Sequence, residues 1–120
     1  MHYSEIIAMF AKKFRKNCFM LLYNTTYHVE EGQEKYFLIW MQEHYLPEVE
    51  RYGVLKAPRI MRILSHIEEG SVCFSVQFEV ENSAVLHKWH QGQGVKLNEE
   101  LLKMFEQKVI GFPTLMEIIV

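Results

Sequence analysis

SVCFSVQFEVE, residues 71–81, places Val72, Phe74, Val76, Phe78 and Val80 on one side and Ser71, Cys73, Ser75, Gln77 and Glu79 on the other. A period of two predicts a strand that lays one face on a core. Just upstream, RIMRILSHI at 59–67 is a second extended run, and Glu68, Glu69 and Gly70 form the short polar turn between them. The pair reads as a β-hairpin.

Working outward, CFMLLYNTTYHV at 18–29 is rich in aromatic and β-favouring residues, and GFPTLMEIIV at 111–120 reads as a strand running to the last residue. Pro113 suits an edge position there. In chain order these runs are β1 (18–29), β2 (59–67), β3 (71–81) and β4 (111–120). Between β1 and β2, Phe37, Trp40, Met41, His44, Tyr45, Val49 and Tyr52 lie on one helical stripe over 33–52. Pro47 should kink that helix near Tyr45, and Gly53 should stop it. After β3, Asn82 or Ser83 caps a helix carrying Val85, Leu86 and Trp89, which Gly92 and Gly94 interrupt. Helix then resumes through Leu97, Leu101, Phe105 and Val109.

The resulting βαββαβ string predicts an α+β, ferredoxin-like domain with a four-stranded antiparallel sheet in the order 4-1-3-2. An additional amphipathic helix from Ser4 to Lys16 precedes it, with Ile6, Ile7, Phe10 and Phe14 on its apolar side. The chain therefore divides into a helical extension, 1–19, and a domain, 20–120. The short basic helix is expected to dock on protein rather than on lipid.

Composition narrows the function classes. The 120 residues are 49% hydrophobic and 23% charged, and 13 − 15 gives a net charge of −2, with no basic surplus for nucleic acid or an anionic membrane. All fifteen acids are Glu, which removes mechanisms that require aspartate. No signal-peptide core or membrane-spanning run is read, and Cys18 and Cys73 form no CxxC pair. A cytoplasmic protein with reduced thiols is expected. No GxSxG, HExxH or P-loop occurs, Gly92-Gln93-Gly94 does not follow a strand, and no cofactor is implied.

Both helices should cover one face of the sheet, leaving the other open. Alternation assigns to the open face Leu22, Asn24, Thr26 and His28 of β1, and Arg62, Leu64 and His66 of β2. It adds Ser71, Cys73, Ser75, Gln77 and Glu79 of β3, and Leu115, Glu117 and Ile119 of β4. Four large apolar groups among polar ones suit a sheet-to-sheet homodimer. His28 and His66 flank Cys73, which raises a metal or nucleophile site. Their separation, about 9–10 Å across β3, argues against shared ligation. Arg62 with Gln77, Asn24 and Glu79 could hold a carboxylate or phosphate, while an Arg62–Glu79 pair is the plainer reading. His87 and His90 read as helix surface beside a buried Trp89, and Trp40, Met41 and Tyr45 as core.

The strings YNTTYHVE at 23–30, RILSH at 62–66, FEVE at 78–81 and GFPTLMEII at 111–119 resemble those of domain-of-unknown-function family 4286, from Met20 to the C-terminus. The resemblance implies a small domain with the chain order of dimeric α/β-barrel proteins, and it transfers no catalytic residue. Two functions follow. One is a non-catalytic homodimeric interaction or binding module. The other is a small dimeric α/β-barrel enzyme, monooxygenase- or isomerase-like, or a ligand-binding protein. Its polar groups on the open face would be His28, Arg62, His66, Gln77 and Glu79.

Overall fold

The computed structural model describes residues 20–65 and 68–120, so the expected Ser4–Lys16 helix, Cys18 and His66 lie outside the described residues. Four strands, β1 (Leu21–Glu30), β2 (Lys56–Arg62), β3 (Ser71–Val80) and β4 (Val109–Glu117), form an antiparallel sheet in the order β2-β3-β1-β4. Read from the β4 edge, this is 4-1-3-2. β4 ends at Glu117 instead of running to Val120, because its partner runs out: Glu117 faces Leu21, the first residue of β1. One further backbone bond, Ile118 N–H to the Met20 carbonyl at 3.3 Å, closes the ladder.

Two helical runs connect the strands. The first comprises α1 (Glu34–Trp40), a π-helical turn (Met41–Tyr45) and α2 (Leu46–Tyr52). Pro47 offers no N–H, and the expected kink is taken up as the π turn just before it. Gly53, at φ +79°, supplies the left-handed stop. The second run comprises α3 (Ser83–Trp89), a π turn (His90–Gly94) and α4 (Val95–Phe105). Asn82 is its cap, accepting the Val85 N–H at 2.9 Å. The glycines mark a π turn rather than a break. A Cβ on Gly94 would stand 2.9 Å from Cζ3 of Trp89, so the absent side chain makes room for the indole. Val109 is not helical as expected: the chain leaves the helix at Glu106, at φ +55°, and Val109 opens β4.

Both runs pack on the same sheet face. Phe37, fully buried, has its ring 5.2 Å from Tyr27, 5.6 Å from Phe74 and 6.3 Å from Phe105, and Trp89 meets Tyr23 edge-on at 6.2 Å. Trp40, Met41 and Tyr45 are core, as their stripe predicts. The helical runs are tied to each other through their π turns. Trp89 Nε1 donates to Gln93 Oε1 (2.6 Å), Gln93 Nε2 donates to the Glu48 carbonyl (2.8 Å), and His44 pairs with Glu100. Burial pushes the Tyr27 and Tyr45 phenols, which hydrogen-bond each other, well above the ordinary tyrosine value. No described helix is long and apolar enough to cross a membrane.

Candidate functional site: the open sheet face

Cross-strand partners share a face, so the ladders settle which residues lie opposite the helices. Leu22 pairs with Glu79, Asn24 with Gln77, Thr26 with Ser75 and His28 with Cys73. The expected open-face residues of β1 and β3, His28, Gln77 and Glu79 among them, are thus together. His66 lies outside the described residues.

Two strands carry the opposite parity from the one expected. On β2, Arg62 pairs with Phe74 and Ile60 with Val76, which turns Arg62 to the helix side. Its guanidinium lies 5.0 Å over the Phe74 ring and pairs with Glu34, not Glu79. Arg59 and Met61 take its place on the open face, opposite Gln77 and Ser75. The physical cause is register. β2 ends at Arg62, giving a longer hairpin loop than expected, and between Lys56 and Arg59 a bulge slips the strand by one residue, with Ala57 at φ +52°. Leu64 lies beyond the strand, in the loop.

On β4, Leu22 faces Met116, Asn24 faces Thr114, Thr26 faces Phe112 and His28 faces Ile110. Leu115 and Glu117 therefore belong to the helix side, and Ile119 lies past the strand end. Both parities of β4 carry apolar residues, so alternation alone does not orient it. The residue that could have done so is Gly111. It sits beside Tyr27 and Thr25, where a Cβ would come within 2.9 Å and 3.0 Å of their side chains, so the helix-facing parity is the one with the glycine.

The open face has two zones. Its centre, on β1 and β3, is polar and internally bonded. Ser75 Oγ donates to Asn24 Oδ1, Asn24 Nδ2 donates to Thr26 Oγ1 at 3.1 Å, and Gln77 Nε2 donates to Ser75 Oγ at 3.1 Å. Asn24 and Ser75 are both buried. Its flank, on β4, is an apolar strip in which Ile110 is 49% exposed, Phe112 54% and Met116 39%, with Met61 on β2 also 39% exposed.

At one end His28 Nδ1 stands 3.4 Å from Cys73 Sγ, and its ring meets Phe112 edge-on at 5.3 Å. Burial first, and the Glu68 carboxylate second, push the Cys73 thiol up from its ordinary value. A buried thiol held neutral behaves as a small hydrophobe and a weak donor. Among the described residues no three His, Cys, Asp or Glu side chains converge as metal ligands. A cavity of about 450 Å³ opens beside His28, between Glu68 and Ser71 on one side and Lys108 and Phe112 on the other.

A four-stranded sheet with helices on one face and a part-apolar, part-bonded opposite face defines a small α+β domain. The chain belongs to the family described as Domain of unknown function (DUF4286), whose profile matches residues 20–119. No curated protein matches it.

Proposed function

We propose that this chain is a non-catalytic homodimeric interaction module of ferredoxin-like topology, joined through its open sheet face in the manner of dimeric α/β-barrel proteins. The observation that carries the reading is the strip of Ile110, Phe112 and Met116, half exposed on the face opposite the described helices. The bonded centre supports it too: Asn24, Thr26, Ser75 and Gln77 already partner one another, so a second copy can dry them at little cost. Four strands about 4.8 Å apart and about 30 Å long present on the order of 600 Å² per copy. The total, about 1,200 Å², is at the lower end of stable specific interfaces. The module works in the cytoplasm with its thiols reduced.

Light scattering on the full chain at tens of micromolar should give twice the 14.3 kDa chain mass. Phe112→Glu should halve that mass without changing the far-ultraviolet circular dichroism. A full chain that is monomeric at that concentration defeats the proposal.

A second reading, a small-ligand-binding protein or enzyme working from the same face, is favoured by the cavity beside His28. There His28, Glu30, Glu68 and Lys108 would supply the polar groups, while Gln77 and Glu79 lie farther along the same face. Native mass spectrometry of the purified dimer distinguishes the two: a bare mass favours the module, and a stoichiometric adduct lost in His28→Ala favours the ligand site.

A further inference from the structure

On the side of the sheet away from the proposed interface, α3 and β4 leave a cleft of about 590 Å³ between them. We propose that this cleft binds a small aromatic carboxylate. The inference is independent of the dimer reading, because the cleft lies on the helix side, where Leu115 rather than Met116 points.

Shape and surface give the apolar half of the ligand. Tyr23, held edge-on against Trp89, forms one wall, and Leu86, Pro113 and Leu115 form the others. Leu115 is 45% exposed, an apolar area that a bound ring would remove from water. The volume falls within the range of about 300–1,000 Å³ usual for small-molecule sites. Behind it a second chamber of about 60 Å³ shares Tyr23, His90 and Pro113 with the cleft and ends at the Tyr27–Tyr45 pair. That chamber has room for a water or two and not for a ring, so the ring belongs in the outer cleft.

Charge gives the other half. His87 and His90, three residues apart and thus on one side of the helical run, both line the cleft, and none of its lining residues is a carboxylate. An imidazole offers an N–H donor in any protonation state, and two of them with no competing acid suit an anionic head group. The π turn that begins at His90 takes part in this placement, as π turns often do at functional sites.

The test is a titration of the full chain with 2-naphthoate, and with the neutral 2-naphthylmethanol as comparator, followed by amide chemical shifts. One 2-naphthoate per chain should bind saturably, moving the amides of Leu86 to His90 and of Thr114 and Leu115. His87→Ala with His90→Ala should weaken it by about tenfold and leave 2-naphthylmethanol little changed. Leu115→Glu should weaken both. All three substituted residues are exposed, and unaltered shifts elsewhere verify the fold. Absence of saturation at millimolar 2-naphthoate, shifts confined to Phe112 and Met116, or equal losses of acid and alcohol in the double alanine variant would each overturn the proposal.

Discussion

On the helix side of the sheet, Val72, Phe74, Val76, Phe78 and Val80 take every second place in β3, and the last four are essentially without solvent contact. On the open side the same strand offers Ser71, Cys73, Ser75, Gln77 and Glu79, and the apolar surface has moved to β4. A dry core has to be filled in every position, since a void forfeits packing contacts that nothing replaces. A face that meets solvent or a second protein needs only patches of apolar surface, with its polar atoms partnered. The difference predicts how each face responds to truncation.

The largest effect belongs to the core. Phe37→Ala removes the ring around which Tyr27, Phe74 and Phe105 are arranged and should cost about 3–5 kcal/mol in denaturant unfolding. A loss below about 1 kcal/mol would mean that the helix side is no better packed than the other. The open face should respond through hydrogen bonding instead. Ser75→Ala strips Asn24 Oδ1 of its donor and Gln77 of its acceptor in a buried setting, at an expected cost of about 1–3 kcal/mol. A neutral result in the same unfolding assay would show that water reaches the centre freely. Arg62 provides the smallest and sharpest contrast. Its exposed pair with Glu34 is worth about 0–1 kcal/mol, and because Arg62 lies on the helix side, Arg62→Ala should leave the dimer mass from light scattering unchanged. A monomeric Arg62→Ala would place the interface on the wrong face.

The legibility of the sequence follows the same divide. β3 and β1 could be oriented from residues alone, because one parity is apolar or aromatic against a dry core and the other is not. In β4, Val109, Pro113 and Leu115 compete with Ile110, Phe112 and Met116, and no alternation decides between them. In β2, the place where Arg62 points depends on a loop length and a bulge at Ala57, neither of which hydrophobic pattern encodes. The candidate site divides accordingly: the ladders hold His28, Gln77 and Glu79 on the open face that alternation predicts, turn Arg62 to the helix side, and bring to the open face Met61, Phe112 and Met116, which the same alternation matches to the core. The histidines of the cleft were visible as residues, but the space beside them is made by β4 and could not be seen without its parity.

The π turn at Met41–Tyr45 can also be considered as a matter of phase. An α-helix advances about 100° per residue, so the twelve steps from Phe37 to Val49 would leave the two side chains about 120° apart. Absorbing one residue in the wider turn reduces the advance to eleven effective steps, and the mismatch shrinks to about 20°. Phe37 and Val49 are both fully buried, and the wider turn brings them close to one line along the sheet face. The turn at His90–Gly94 does the same for Leu86 and Phe105, whose nineteen steps are about 100° out of phase in a regular helix and return to alignment at eighteen. Each helical run thus holds one residue more than its length along the sheet requires, and that residue keeps both of its ends facing the core.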